Sequence, residues 1–277
     1  MPLYKLTEEY PQKRAFITGA GSGLGKALSL KLAKENWTIG LCDVHQDNLA
    51  LIQKEVTDLG GIAISFNLDV SDKIQYGVVA AEFLNKVKGI DLLINNAGVG
   101  DGGDVGDYTL ENWEWMVGIN QMGVIYGCHH FVPQFRKQKA GHIINIASLA
   151  AISCAPQMAA YNVTKAAVLA LSETLYGELM DVNIHVSCIM PSYFKTNIAE
   201  GVRGGDQIKK VTSSFIRWSK LEADQVAEEI LQRSGNHELY IVLPAKARKL
   251  WYLKRLLPTR FRRMVKENYF QAVNRVK

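Results

Sequence analysis

Tyr161 and Lys165 lie four positions apart in a segment whose pattern predicts a helix, and Ser148 ends an apolar run thirteen positions before Tyr161. A spacing of four places two side chains on one helix face, so the phenol and the ammonium can share a pocket. A free phenol has a pKa of about 10 and is a poor proton shuttle at neutral pH. A cation about 4 Å away contributes roughly 4 kcal/mol at an effective dielectric constant of about 20, or about three pK units. We therefore expect Lys165 to lower the pKa of Tyr161 toward neutrality, where general acid–base catalysis is most efficient.

A glycine-rich turn follows the first apolar run of the chain. It reads Thr18-Gly19-Ala20-Gly21-Ser22-Gly23-Leu24-Gly25. Glycines permit a sharp turn and let a pyrophosphate approach main-chain N–H groups, while the N-terminus of the next helix favours an anion. The spacing is T-G-x-x-x-G-x-G, not the G-x-G-x-x-G of the two-domain dehydrogenases. The alternative is a tight turn without a ligand, which the position directly after the first strand disfavours.

Asp43 ends the second apolar run, eighteen residues after Gly25. A carboxylate at this point can accept hydrogen bonds from the hydroxyls of an adenosine ribose, and it would repel a 2′-phosphate. No Arg or Lys adjoins Asp43, and Ser22 rather than a basic residue stands in the glycine turn. The pattern therefore favours NAD over NADP as cofactor. The alternative is that Asp43 only caps a turn.

The next two strands also end in polar or small residues. Asp69 and Val70 end the third run, where Asp69 could meet an adenine edge or simply form a turn before the next helix. Asn96, Ala97 and Gly98 end the fourth, a composition that suits a strand end beneath a cofactor. Ligands of open parallel sheets bind beyond the carboxyl ends of the strands, so we expect both segments to contact the cofactor.

Short apolar runs alternate with helical patterns along the chain. The near-continuous apolar character of the runs is typical of strands covered on both faces, and the alternation predicts an α/β, Rossmann-like, doubly wound parallel sheet with helices on both faces. We expect about seven strands near residues 13–18, 37–42, 62–68, 90–95, 142–147, 183–190 and 239–243. The helical patterns lie near residues 24–35, 46–59, 72–88, 110–138 and 157–181.

The composition is that of an ordinary globular protein, with 48% hydrophobic and 21% charged residues. No stretch of apolar residues is long enough for a membrane span, and the first twenty residues lack the apolar core of a signal peptide. Cys42, Cys128, Cys154 and Cys188 are far apart and lack the spacing of metal ligands. We expect free thiols, a cytoplasmic location and no metal site.

The C-terminal 34 residues differ from the rest. Residues 244–277 hold eleven Lys or Arg and the single acid Glu267, so they carry +10, while the rest of the chain carries −5. We expect one domain over 1–243, with a substrate lid at about 196–220, followed by a basic amphipathic helical extension over 244–277. Apolar and basic residues interleave in 245–266, so the extension either touches an anionic membrane peripherally or folds over the substrate cleft or a neighbouring subunit.

Four motifs together resemble the short-chain dehydrogenase/reductase family in its compact single-domain form, from about Lys13 to Thr196. They are TGxxxGxG, NNAG, Ser148 with Tyr161-x-x-x-Lys165, and a proline turn at Pro191. The family usually has Pro-Gly at that turn, whereas this chain has Pro191-Ser192. The resemblance implies an NAD(P)-dependent oxidoreductase that interconverts a secondary alcohol and a ketone or aldehyde.

The resemblance also implies roles for single residues. Tyr161 would be the general acid–base, and Lys165 would lower its pKa and hold the nicotinamide ribose. Ser148 would hydrogen-bond the substrate oxygen and stabilise charge that develops there. Asn120 would hold a water of the proton relay, and Thr196 would contact the nicotinamide carboxamide. Pro191 would also border the cofactor.

Substrate contacts are expected from the segments around the catalytic residues, where apolar side chains favour a hydrophobic alcohol or ketone. The candidates beside Ser148 are Cys154, Met158, Tyr193 and Phe194. The partners we expect are this small molecule and further copies of the chain, as a homodimer or homotetramer, with no nucleic acid. The alternatives are a non-catalytic nucleotide sensor, which the intact trio disfavours, and a sugar-nucleotide epimerase or dehydratase, which the glycine spacing disfavours.

Overall fold

The computed structural model describes residues 4–196, 201–203 and 205–276. Parts of the predicted lid, residues 197–200 and 204, therefore lie outside the described residues. A seven-stranded parallel sheet runs through the centre in the order β3-β2-β1-β4-β5-β6-β7. The strands are β1 (Arg14–Thr18), β2 (Thr38–Asp43), β3 (Ile62–Asn67), β4 (Leu92–Asn95), β5 (Gly141–Ile146), β6 (Ile184–Pro191) and β7 (Tyr240–Leu243). The predicted α/β, doubly wound sheet is thus confirmed.

The helices of the described chain flank this sheet. They are α1 (Lys5–Glu9), α2 (Gly23–Ala33), α3 (Gln46–Asp58), α4 (Lys73–Val87), α5 (Leu110–Val117), α6 (Gly123–Gln138), α7 (Ala150–Ser153), α8 (Ala159–Leu179), α9 (Asp206–Trp218), α10 (Ala223–Ser234), α11 (Arg248–Leu256) and α12 (Pro258–Val276). The helix expected over 110–138 is two α-helices joined by one π-helical turn, Gly118–Met122. The sequence patterns did not predict α1, α7 or α10.

Side chains of the strands alternate between two hydrophobic cores, one on each face of the sheet. On β1, Phe16 points into one core, while Ala15 and Ile17 point into the other. The core around Phe16 includes residues of α4, α6 and α8. The centroid of the Phe16 ring lies 4.7 Å from that of Phe131 on α6. The opposite core includes residues of α2, α3 and α10. Burial on both faces explains the near-continuous apolar runs of the strands.

Hydrogen bonds between β1 and β4 fix the glycine turn against the sheet. The Asn96 side-chain amide donates to the carbonyl oxygens of Thr18 and Gly19 at 2.9 and 3.0 Å. The Thr18 hydroxyl accepts from the main-chain N–H groups of Asn96 and Ala97, each at 3.0 Å. The turn therefore has a rigid position relative to the strand ends.

The basic C-terminal helices pack back onto the same body. Trp251 of α11 and Phe261 of α12 are buried and belong to the core that contains Phe16. The guanidinium of Arg262 donates to the Ile152 carbonyl oxygen at 3.0 Å, which ties α12 to the end of α7. Among the described residues, no helix combines the length and apolar character that a membrane crossing requires.

A substitution at Gly25 tests how tightly the glycine turn is packed. A methyl group at this position would overlap the Gly19 carbonyl oxygen and would lie 2.7 Å from Asn96 Nδ2. We expect Gly25→Ala to lower the free energy of unfolding by about 1–3 kcal/mol through overpacking. In urea unfolding, Gly177→Ala is the matched control, because nothing lies within 4 Å of a Cβ there. The control removes a helical glycine and should raise stability by up to about 1 kcal/mol. Equal effects of the two substitutions would contradict the packing described.

Candidate active site

A cleft of about 660 Å³ lies beyond the carboxyl ends of the strands. The glycine turn and the ends of β2, β3 and β4 border one part of it. The ends of β5 and β6, together with α8, α9 and α12, border the other. The lining includes most of the predicted residues, namely Gly19, Ser22, Gly23, Leu24, Asp43, Asp69, Val70, Asn96, Ala97, Gly98, Ser148, Met158, Tyr161, Lys165, Pro191, Tyr193, Phe194 and Thr196.

The glycine turn has the geometry of an anion cradle. Gly19 and Gly23 have left-handed backbones, with φ of +63° and +51°, which glycine adopts without a steric penalty. Ser22 precedes α2 but makes no side-chain hydrogen bond to the first turn, so that side chain does not cap the N–H groups there. A Cβ at Gly23 would lie 3.0 Å from the Thr196 hydroxyl, so the far wall of the cleft comes close to the turn. This arrangement fits a pyrophosphate. Gly25 does not line the cleft; its role is the close packing described above.

Asp43 does hold a turn, as the simpler interpretation of the sequence has it, and it also borders the cleft. One carboxylate oxygen accepts from the N–H of Gly21 at 2.9 Å, and the other accepts from the N–H of His45 at 3.0 Å. Each carboxylate oxygen has a further lone pair, so Asp43 can still accept from a ligand hydroxyl. Its neighbours in the cleft wall, Val44, His45 and Asn48, include no Lys or Arg.

Asp69 likewise combines a turn with a place in the cleft wall. Its carboxylate accepts from the main-chain N–H and the hydroxyl of Ser71, at 2.9 and 2.6 Å, just before α4. Both interpretations of Asp69 from the sequence therefore fit its geometry. Val70 is buried beside it and also borders the cleft.

Tyr161, Ser148 and Lys165 meet at the junction of the two parts of the cleft. Ser148 lies two residues beyond β5, and Tyr161 and Lys165 lie on the first turns of α8. The Lys165 ammonium is buried, donates to the Ile146 carbonyl oxygen at 3.0 Å, and lies 5.8 Å from the centroid of the Tyr161 ring. A Cβ at Gly98 would lie 3.3 Å from the same nitrogen, so the end of β4 approaches it closely.

The protonation of this trio corrects the expectation from the sequence. Burial raises the pKa of Tyr161, and the nearby Ser148 hydroxyl, which can donate to the phenolate, lowers it only in part. Burial also lowers the pKa of Lys165 to about 8. Desolvation disfavours both charged forms, so the lowered pKa that the spacing of Tyr161 and Lys165 suggested does not occur in the protein alone. In the protein alone, Tyr161 is therefore a neutral phenol at neutral pH.

Asn120 is fully buried in the π-helical turn and does not line the cleft. Its side chain accepts from the Val99 N–H and donates to the Val99 carbonyl oxygen, both at 2.8 Å, and it also donates to Thr164 Oγ1 at 3.4 Å. This side chain fixes the segment after β4 against α8.

Of the four residues expected to contact substrate beside Ser148, three line the cleft and Cys154 does not. Met158, Tyr193 and Phe194 line the cleft, and Tyr193 stacks on Phe215 of α9 at 4.9 Å between centroids. Cys154 is absent from the lining, because its thiol turns back toward the Ala151 carbonyl oxygen at 3.9 Å. Ser192 needs no left-handed backbone, and its N–H donates to the Leu243 carbonyl oxygen at 2.7 Å, so the turn accommodates serine.

The C-terminal extension folds over the cleft, one of the alternatives that the sequence left open, and α12 forms part of the cleft wall. Four of its apolar side chains line the cleft, namely Phe261, Met264, Val265 and Tyr269. The helix is held there by Arg262 and by Tyr269, whose hydroxyl donates to Gln157 Oε1 at 3.2 Å. The spacing of these four residues follows one helix face, so the pattern itself contained the signal. What it lacked was the surface against which that face packs.

Comparison with known proteins assigns the family. The sequence profile described as short chain dehydrogenase matches residues 13–207. The 3-oxoacyl-[acyl-carrier-protein] reductase FabG of Thermotoga maritima is 30% identical over 230 residues, which cover 83% of this chain and 93% of that protein. This chain therefore belongs to the short-chain dehydrogenase/reductase family, and its class of activity is that of an oxidoreductase.

Solved structures agree with this assignment. A short-chain dehydrogenase/reductase from Burkholderia phymatum in complex with NAD is 32% identical, with a TM-score of 0.84 over 88% of this chain and 92% of that one. A short-chain dehydrogenase from Sphingobium yanoikuyae in complex with NADPH, 24% identical, shares the fold with a TM-score of 0.77 over 89% and 95% of the two chains. Similar structures thus hold either NAD or NADPH.

The buried ammonium of Lys165 predicts how stability depends on pH. An ordinary lysine pKa of 10.5 against about 8 in the folded chain corresponds to about 3 kcal/mol. Between those pH values the unfolded chain binds a proton that the folded chain has released, so stability rises with pH. Lys165→Met lacks this contribution. The difference in unfolding free energy, variant minus wild type, should therefore fall by about 2–3 kcal/mol between pH 7 and pH 10 in urea titrations. A difference that is the same at both pH values would contradict the burial of a charged Lys165.

Proposed function

We propose that this chain is an NAD-dependent alcohol dehydrogenase or ketoreductase that interconverts a secondary alcohol and a carbonyl on a hydrophobic substrate. The observation that supports this most directly is the meeting of Tyr161, Ser148 and Lys165 in one cleft with the glycine turn. A dinucleotide whose pyrophosphate lies at the turn and whose adenosine lies at Asp43 would extend along the strand ends toward Tyr161. The residues proposed for the site are those that line the cleft. Asn120 and Gly25 lie outside the lining and hold it in position, Asn120 by its hydrogen bonds to Val99 and Gly25 by close packing against Gly19.

The chemistry divides between cofactor and protein. The bound nicotinamide supplies the donor or acceptor of hydride. In the oxidising direction, the Tyr161 phenolate takes the proton of the substrate hydroxyl, and in the reducing direction the phenol returns it. The Ser148 hydroxyl donates to the substrate oxygen and stabilises its developing charge. Lys165 would hold the nicotinamide ribose, and its charge, together with that of the oxidised nicotinamide, would favour the phenolate that burial alone disfavours.

The substrate wall favours an apolar molecule. Met158, which directly precedes α8, meets Phe215 and Ile216 of α9 and Met264 and Val265 of α12 there. Helices α9 and α12 also contact each other through Val211 and Tyr269, so together they form a continuous roof over the cleft. The relative from Thermotoga maritima is named as a reductase of 3-oxoacyl groups, in which a ketone adjoins an acyl chain. Apolar skeletons of that kind would fit this wall, whereas a sugar nucleotide would leave its hydroxyls without partners.

The competing functions have weaker support. A non-catalytic nucleotide sensor would have no need of a phenol, a hydroxyl and an ammonium brought together beside the substrate wall. An epimerase or dehydratase of sugar nucleotides would need polar partners for a second nucleotide. Turnover of simple alcohols by the chain would rule out the sensor.

The proposed catalytic role of Tyr161 is tested by Tyr161→Phe on a panel of hydrophobic and short secondary alcohols with NAD⁺, followed through the absorbance of the reduced cofactor. We expect turnover to fall by about 10²- to 10⁴-fold, because the proton acceptor is lost, while NADH affinity stays unchanged. Hydrophobic alcohols should give lower KM values than short ones. Tyr176→Phe is the matched control, since Tyr176 is exposed on the same helix and lies outside the cleft. Wild-type rates for Tyr161→Phe on every accepted alcohol would contradict the role.

The NAD preference rests on Asp43 and on the lack of basic side chains beside it. We expect Asp43→Asn to lower the ratio of kcat/KM for NAD⁺ over NADP⁺ by about tenfold or more, since about 1.4 kcal/mol of charge repulsion is lost. Asp47→Asn makes the same change of charge nearby, on the exposed first turn of α3, and should leave the ratio unchanged. A wild-type chain that prefers NADP⁺ would overturn the assignment.

Self-association is proposed on the surface of α8. Tyr176 and Met180, four residues apart at the C-terminal end of α8, are exposed at 38% and 55% and share one face. Exposed apolar side chains on one face favour pairing with a second copy, giving a homodimer or homotetramer. Light scattering on the purified chain would measure the number of subunits, and a monomer would contradict this proposal.

Peripheral membrane contact through 245–266 is a weaker proposal. Tyr252, Leu256 and Leu257 are exposed at 54%, 77% and 43%, on a segment rich in Lys and Arg. Such a surface would suit a cytoplasmic enzyme that takes up lipophilic substrates. The inward direction of Trp251 and Phe261 limits the apolar area that remains for lipid. Failure of the full chain to sediment with anionic liposomes at modest salt would exclude the contact.

A further inference from the structure

A cluster of histidines lies at the end of the sheet opposite the cleft. His142 and His185 stand at the amino ends of β5 and β6 and are register partners across these strands. His237 precedes β7 in a left-handed conformation, with φ of +58°. Glu9, the last residue of α1, lies beside His185 and His237. The parallel sheet thus brings together four residues that are far apart in sequence.

The side chains of Glu9, His185 and His237 have the separations of a metal-ligand set. Their ligand atoms all lie within 4.8 Å of one another. Nε2 of His237 lies 2.8 Å from one oxygen of the Glu9 carboxylate, and Nε2 of His185 lies 3.4 Å from the other. The two imidazole rings stack at 3.5 Å between centroids. All three side chains are partly exposed, so an ion can reach them from solvent.

His142 supplies a second, independent observation. Its ring is fully buried, and Nε2 lies 2.9 Å from the Ser187 hydroxyl. The Ser187 hydroxyl donates its own hydrogen to the Glu238 carbonyl oxygen, so Nε2 must be the donor to Ser187. Nδ1 of His142 is then a bare lone pair, and among the described residues it has no hydrogen-bond partner. A buried acceptor left unpaired costs about 1–3 kcal/mol.

We propose that Glu9, His185 and His237 bind one divalent first-row metal ion, Zn²⁺ foremost, with water completing its coordination. Imidazole nitrogen and carboxylate oxygen are preferred ligands of Zn²⁺, and three protein ligands leave a position for water. The His142 ring lies 5.9 and 6.2 Å from the rings of His185 and His237. At that range the unpaired Nδ1 could accept a hydrogen bond from a metal-bound water, which would satisfy this buried acceptor.

The surroundings allow the ion to enter and give it a structural effect. An open depression lined by Glu8, Glu9 and His237, together with Lys5, Gly235 and Asn236, adjoins the cluster. Bound metal would join α1 to the strands β6 and β7, whereas Glu9 now holds the histidines through hydrogen bonds alone. The site is remote from Tyr161, so this inference does not depend on the proposed function.

The test uses the full chain without an affinity tag, freed of metal by dialysis against EDTA. Titration with ZnCl₂, followed by calorimetry, should show one ion per chain and a raised melting temperature. His237→Gln and His185→Gln should weaken Zn²⁺ binding by more than about tenfold, since even partners beyond the direct ligands change metal affinity by about 10- to 100-fold. His129→Gln, on the exposed side of α6, is the matched control and should bind like the wild type.

Substitution with Co²⁺ identifies the ligands without relying on stability. Absorption of a nitrogen and oxygen site, with no thiolate charge-transfer band, would support the proposal and exclude the cysteines. Binding that is the same in the wild type and in His237→Gln, or no binding at all, would overturn it. In that case the cluster is only a hydrogen-bonded contact between α1 and the sheet.

Discussion

The site depends on an ammonium group that is held inside the protein. Lys165 is buried, and the structure places the Ile146 carbonyl oxygen at 3.0 Å from its nitrogen as an acceptor. Burial makes the charge costly, which is why the pKa of Lys165 falls to about 8. The residues around it are arranged to keep this position, since Gly98 leaves room for the ammonium and Asn120 fixes Val99 beside it. A protein designed for stability alone would place an apolar side chain there.

The strand ends also fix the two parts of the cleft relative to each other. Asn96 and Thr18 tie the glycine turn to the end of β4, and β5 delivers Ser148 next to it. These contacts, made by main chain and short side chains, set the distance between the anion cradle and Tyr161. The roof formed by α9 and α12 is attached through Arg262 and Tyr269, and through Phe261, which packs in the core that contains Phe16.

Much of this arrangement could be predicted from the sequence, because it is encoded locally. Apolar runs predict the seven strands, and short motifs at strand ends predict the glycine turn, Asp43, Asn96 and the trio. Long-range packing could not be predicted in this way. The inward face of α12 needs a surface against which to pack, and the π-helical turn around Asn120 depends on contacts with Val99 and Thr164.

Two further features depended on burial or on the whole topology. The charge estimate for Tyr161 failed because a spacing of four residues says nothing about desolvation. The histidine cluster could not be predicted from the sequence, because its four residues have no common spacing. Only the strand order of the sheet brings together Glu9, His142, His185 and His237.

We propose that Tyr161 becomes an accessible proton acceptor only when a bound cofactor adds its charge to that of Lys165. Ultraviolet difference titration of phenolate absorbance, wild type minus Tyr161→Phe, measures the pKa of this one tyrosine. With saturating NAD⁺ it should fall from its raised value in the free protein toward neutrality. An equal pKa with and without NAD⁺ would contradict the claim.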